Sequence, residues 1–218
     1  MAIDKIQANA FADDAITSDK INLANNFAFT GTVSGTPSNL VLIKTITISD
    51  DTTVSFVNGA SSVVLDGTYK VYKIIGTGIT ITEADGGYFN FNASIDGGSN
   101  YNVDKTNCGN VQNLSVSGDA NVATFNQNAT TVTVVCPDVD GNEANNQLNF
   151  EMNLYEPSST ANFKFARSFG TYKRTGQYSQ KSDFITMMET TSAVNAIQFS
   201  LSNTNMDNGI ISLYGVKS

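Results

Sequence analysis

The sequence predicts an all-β chain: a jelly-roll-like antiparallel β-sandwich preceded by an extended or short-helical N-terminal arm. Three observations predict it. Apolar and polar residues alternate over eight or more short runs after residue 37, turn residues separate most of those runs, and no amphipathic helical period is readable there. Residues 1–37 differ in pattern and are assigned to an arm and linker, residues 38–218 to the sandwich.

The arm comes first. Asp4-Lys5-Ile6-Gln7-Ala8-Asn9-Ala10-Phe11-Ala12 recurs, with one residue inserted, as Asp19-Lys20-Ile21-Asn22-Leu23-Ala24-Asn25-Asn26-Phe27-Ala28. Its apolar positions Ile3, Ile6, Phe11, Ile16, Ile21, Leu23 and Phe27 are spaced too widely for a self-sufficient helix, and short isolated helices are marginal in water. A repeated unit that cannot bury its own apolar residues is expected to order against a neighbouring copy or a neighbouring protein. Thr30 to Pro37 then forms a linker, with Gly31, Gly35 and Pro37 as loop residues.

The strand runs follow. Leu42, Ile46 and Ile48 alternate with Thr45, Thr47 and Ser49, and Val54 and Phe56 share a face after the Asp50-Asp51 turn. Tyr69, Val71 and Ile75 lie opposite Tyr72 and Ile74, so this run is expected to be covered on both faces. Phe89, Phe91, Ala93 and Ile95 alternate with Asn90, Asn92 and Ser94 up to Asp96-Gly97-Gly98, where glycine supplies the positive φ of a tight reversal. Thr131 to Val135 is β-branched throughout. Leu148, Phe150, Met152 and Leu154 alternate with Asn149, Glu151, Asn153 and Tyr155. Phe163 and Phe165 open a further run, Ile185 and Met187 mark another, and Ile197, Phe199 and Leu201 alternate with Gln198 and Ser200. Ile211 and Leu213 close the chain on a strand bracketed by Gly209 and Gly215, with Tyr214 on its other side. The core is expected to be this aliphatic and Phe set.

Charged residues make up 15 % of the chain, against about 25 % in an average domain, so Asn, Ser, Thr and Gly must supply the polar exterior. The net charge of −8, from 12 basic and 20 acidic residues, argues against nucleic acid as a partner. The densest basic segment places Lys164, Arg167, Lys173, Arg174 and Lys181 among Phe163, Phe165, Phe169, Tyr172 and Tyr178. A strand with its charges pointing into solvent is expected there, the alternative being a contact for an acidic neighbour or an anionic glycan. No apolar stretch approaches the roughly 20 residues of a membrane helix, and Asp4 beside Lys5 gives no secretory leader. Cys108 and Cys136 are too few for a disulfide framework or a zinc site. One disulfide between them and two reduced thiols are both left open.

The chain contains no histidine, which removes Ser-His-Asp and Cys-His catalysis and the commonest metal ligand. The carboxylate pairs Glu83 with Asp85 and Glu143 with Glu151 lack an aromatic cluster, and there is no Trp for sugar stacking, which disfavours a glycosidase. Asp138, Asp140 and Asn142 begin like a calcium loop, but the twelfth position is Asn149 rather than a bidentate Glu, so an acidic turn is expected. Gly76-Thr77-Gly78 lacks the Lys and the helix of a phosphate loop. No catalytic residue, cofactor or metal is expected.

Five segments carry a resemblance. Met1-Ala2-Ile3-Asp4-Lys5-Ile6 with Ala15-Ile16-Thr17-Ser18-Asp19-Lys20-Ile21 resembles the starts of tail-fibre and other structural proteins of tailed, especially marine, bacteriophages. Tyr69-Lys70-Val71-Tyr72-Lys73-Ile74-Ile75, Ser94-Ile95-Asp96-Gly97-Gly98-Ser99 and Asn208-Gly209-Ile210-Ile211-Ser212-Leu213-Tyr214-Gly215-Val216-Lys217 resemble a β-sandwich domain common in such proteins. Residues 108–146 have no counterpart in that pattern. The resemblance implies a virion part: a tail fibre, adaptor or capsid-surface component, usually homotrimeric, assembled in the host cytoplasm and carrying no catalytic residues. Its implied partners are other copies of itself and other virion proteins. The alternative expectation is a lectin-like module that recognises a host-surface glycan.

Overall fold

The computed structural model describes residues 39–81, 87–139, 146–174 and 178–217. The arm residues Ile3, Ile6, Phe11, Ile16, Ile21, Leu23 and Phe27 lie outside them. The described residues form twelve strands and no helix. They are β1 (Leu40–Asp51), β2 (Thr53–Val57), β3 (Val71–Thr80), β4 (Gly87–Ser94), β5 (Lys105–Ser115), β6 (Ala120–Thr130), β7 (Thr133–Val139), β8 (Leu148–Tyr155), β9 (Lys164–Arg174), β10 (Tyr178–Met188), β11 (Ala196–Leu201) and β12 (Met206–Val216).

They make two antiparallel sheets, one of eight strands in the order β1-β12-β3-β8-β9-β10-β5-β6 and one of four in the order β2-β11-β4-β7. The connectivity is nested. β1 pairs β12, β2 pairs β11, β3 pairs β8 and β4 pairs β7, as if one long ribbon had been folded across both sheets. Two pairs of strands are added to that ribbon. β5 and β6 leave between β4 and β7, and β9 and β10 between β8 and β11; all four widen the eight-stranded sheet on its β8 side.

One face of each sheet supplies a common core. Phe89 of β4, Phe150 of β8 and Phe199 of β11 meet across the sheets, with ring centroids 4.9 Å apart for Phe89–Phe150, 5.0 Å for Phe150–Phe199 and 5.7 Å for Phe89–Phe199. Tyr72, Ile74, Met152, Leu154, Ile211 and Leu213 extend this core beneath the large sheet. In these strands the alternation places the residues as expected: the apolar set of β2, β4, β8, β11 and β12 faces inward. Gly209 is required by a close approach, because at φ 122° a Cβ there would sit 2.8 Å from the Ile79 Cα.

Several expectations fail, each for a local reason. Leu42 points outward because β1 carries a bulge between Leu42 and Lys44, which reverses the phase of the run. Ile95 lies past the end of β4 and is exposed. β5 and β6 occupy a stretch with no readable apolar period, since Asn, Gln, Ser and Thr stand on both faces. Phe165 and Phe169 of β9 face away from the core, Phe165 contrary to expectation, while Tyr172 faces inward.

Candidate functional site

The added strands carry the unusual chemistry. On β9 the inward residues are Lys164, Ala166, Ser168, Gly170 and Tyr172, while Phe165, Arg167 and Phe169 point outward. The middle three, Ala166, Ser168 and Gly170, are small where β7 crosses close above. A Cβ on Gly170 would lie 2.2 Å from the Cys136 sulfur and 2.7 Å from the Ser182 hydroxyl. On β10, Ser182 donates to the Val135 carbonyl at 2.7 Å, tying the sheets together by a hydrogen bond where a large side chain has no room.

Two lysines close the other end of these strands. Lys105 and Lys164 both lie opposite Met188 in the ladder and are 0 % and 1 % exposed. Lys105 Nζ donates to the carbonyls of Val103, at 2.8 Å, and Thr131. Lys164 Nζ donates to the Thr190 carbonyl at 3.1 Å. Burial lowers both amines below the ordinary lysine value, Lys105 to about 8. This corrects the expectation of outward, solvated charges at Lys164. The rest of the basic segment is dispersed: Arg167 pairs with Asp183 at 3.0 Å on the outer face, Arg174 approaches Asp138 at 3.5 Å, and Lys181 is exposed.

The outer face of the large sheet is apolar where solvent would be expected to favour polar residues. The ladder registers place Leu40, Val216, Val71, Tyr155, Phe165 and Met187 in one row across β1, β12, β3, β8, β9 and β10. Phe165 is 45 %, Phe169 37 % and Ile185 51 % exposed on the same face. An apolar region of this kind on a protein exterior marks an interaction surface.

A concave site lies where the small sheet ends. The four-stranded sheet is half as wide as its neighbour and none of its strands pairs with β6, which it meets through the Tyr88–Phe125 ring contact at 6.2 Å and the Val134 N–H donated to the Gln127 side chain at 2.9 Å. A cleft of about 520 Å³ opens there, lined by Asn113, Asp119, Asn121, Asp138, Arg174 and Tyr178. Asp119 accepts from the Ser117 hydroxyl at 2.9 Å, so its carboxylate is held by the β5–β6 turn. Amide, carboxylate and guanidinium groups beside one aromatic ring suit a ligand bearing many hydroxyls. The acidic turn is only partly described, and among the described residues no three His, Cys, Asp or Glu side chains gather to hold a metal ion. The sequence carried little warning of this cleft beyond the Ser115-Val116-Ser117-Gly118-Asp119 turn between two amide-rich runs.

Of the two alternatives left open for the cysteines, the structure shows free thiols. Cys136 lies between the sheets, its Sγ 3.6 Å from the Ser182 hydroxyl, with burial pushing the thiol up to about 12. Cys108 faces out from β5, on the other side of the sheet. A bond between them would have to pass through the sheet. Compared with known proteins, the chain matches no family model, no curated protein and no solved structure.

Proposed function

We propose that the chain is a non-enzymatic structural component of a tailed-bacteriophage particle: a tail-fibre, adaptor or capsid-surface protein. In this reading residues 1–37 dock to the particle, and the remainder is a jelly-roll sandwich that projects from it. The nested pairing of β1 with β12, β2 with β11, β3 with β8 and β4 with β7 supports the jelly-roll assignment, since that fold arises when an antiparallel ribbon wraps into two four-stranded sheets. The observation that carries the assembly role is the apolar patch on the outer face of β9 and β10, where Phe165, Phe169 and Ile185 stand outside while Ser168, Gly170 and Ser182 occupy the inner positions beneath β7. A protein working alone would gain by the opposite arrangement. Mass spectrometry of particles purified from a lysate of the source culture tests the reading. The chain is expected among the particle proteins at a fixed ratio to the major capsid protein, and its absence from every particle fraction would end the proposal.

The cleft around Tyr178 favours a second reading, recognition of a host-surface glycan. Its amide and carboxylate groups can accept from and donate to sugar hydroxyls, and the Tyr178 ring offers a stacking face. On a glycan array, binding that falls at least tenfold in Tyr178→Ala and Arg174→Ala would support it. Equal binding by those variants and the parent would exclude this cleft.

A further inference from the structure

We infer that β6 is a self-pairing edge: two copies of the chain join β6 to β6 in antiparallel fashion and make one continuous sheet of sixteen strands. Four strands stand at sheet edges, namely β1, β6, β2 and β7. Natural proteins blunt such edges with bulges, charges, prolines or brevity, because an open edge presents a row of unpaired N–H and C=O groups. Three of the four are blunted here. β1 carries the bulge at Leu42/Lys44 together with Lys44, β2 has only five residues, and β7 has seven with Pro137 among them. On β6 the ladder to β5 shifts between Gln127 and Thr130, where Ala129 takes a positive φ of 46°, so the irregularity is confined to its last residues and Ala120 to Gln127 run without one. The strand's eleven residues, Ala120-Asn121-Val122-Ala123-Thr124-Phe125-Asn126-Gln127-Asn128-Ala129-Thr130, include no charge and no proline.

The same residues select a second copy as the occupant. A chain of net charge −8 repels itself over most of its surface, yet here an eleven-residue strip is neutral. Antiparallel pairing about a two-fold axis sets the Asp119 end of each strand beside the Thr130 end of the other, so no like charges meet. Most of the exposed side chains are small or hydrogen-bonding, among them Ala120, Asn121, Ala123, Thr124 and Asn126, with Val122 an apolar exception. A strand of this kind complements itself through main-chain bonds and Asn–Thr pairs. The inference does not depend on the particle assignment.

A single-cysteine scan across residues 121–128 of the full chain, with Cys108→Ser to remove the exposed native thiol, tests it. In a two-fold antiparallel pair residue i faces its own copy only at the axis. Reducible dimer is therefore expected to peak at one position and to fall at least fivefold two or more residues away. Melting each variant confirms that the sandwich is intact, and Asn121→Cys and Thr124→Cys lie on exposed positions that tolerate change. Uniform cross-linking along the strand, which signals random collision, would overturn the inference. So would the absence of reducible dimer at every position, which signals either a lone chain or pairing with a different strand.

Discussion

Single residues set the terms at which the added strands hold together. Lys105 is fully buried, its ammonium satisfied by two carbonyls instead of a carboxylate, and its value falls to about 8. The dominant cause is desolvation, which penalises the charged form in the folded state alone. Below pH 8 both states are protonated and the full penalty applies. As pH rises from about 8 towards 10.5 the folded amine releases its proton first, and stability increases. Between pH 7 and 9.5 the gain from this group is about 2 kcal/mol, taking 1.36 kcal/mol per unit. Thermal melts should therefore show a pH-dependent rise in the parent that is reduced in Lys105→Met, with Lys164 contributing the remainder. Identical pH slopes in the two proteins would show that Lys105 is not buried as described. Asp96 works in the opposite direction. Its carboxylate accepts from the Asn100 side chain at 2.7 Å, the Ser94 hydroxyl at 2.7 Å and the Asn100 backbone at 2.9 Å, and falls to about 2. The loop it organises keeps that support above pH 4 and loses it as pH falls towards 2.

At the scale of elements, β12 is the strand the rest of the large sheet depends on. It lies between β1 and β3 with a ladder on each side, and both Ile211 and Leu213 are fully buried. Each contributes roughly 1.5–3 kcal/mol of apolar burial, and removing the strand would also strip partners from β1 and β3. Deleting residues 209–218 is expected to abolish the cooperative thermal transition seen by circular dichroism; a transition at the parent temperature would contradict this placement. β12 was legible in the sequence, as were β2, β4, β8 and β11, because each buries one apolar face and shows the period directly. β5 and β6 were not, because β6 is mostly exposed on both faces, with Phe125 alone among its apolar side chains half-buried against Tyr88 and Phe184, and β5 buries Asn107 and Lys105 among its inward residues. β9 was legible as a strand but not in its phase. Hydropathy places Phe165 in the core, whereas the close passage of β7 over Gly170 admits only small residues on that side and turns Phe165 and Phe169 outward. The candidate cleft was still less visible. Its side chains come from β5, β6, β7, β9 and β10, and no local spacing links them.

Over the whole molecule, two tendencies oppose one another: a net charge of −8 that keeps copies apart, and an outer sheet face that loses free energy while it remains wet. The apolar row from Leu40 to Met187 runs across six strands, and Phe169 and Ile185 enlarge it around the Arg167–Asp183 pair. That ion pair and the neighbouring Lys73–Glu151 pair at 2.8 Å are at least partly exposed and add little stability by themselves, but they give the face polar features that can fix the orientation of whatever covers it. The face can be altered without touching the core, because its residues are already a third to a half exposed. Replacing Phe165, Phe169 and Ile185 together by Thr keeps strand propensity and should change the unfolding free energy by about 1 kcal/mol or less. Light scattering on the full chain should find the parent above the mass of a single chain in a concentration-dependent manner, with association weakened at least tenfold in the triple variant. Low salt should weaken the parent's association, since the repulsion between −8 chains is then unscreened. A parent that stays at the mass of one chain at every concentration and salt would show that the exposed row is tolerated rather than used, and would remove the main support for an assembly role.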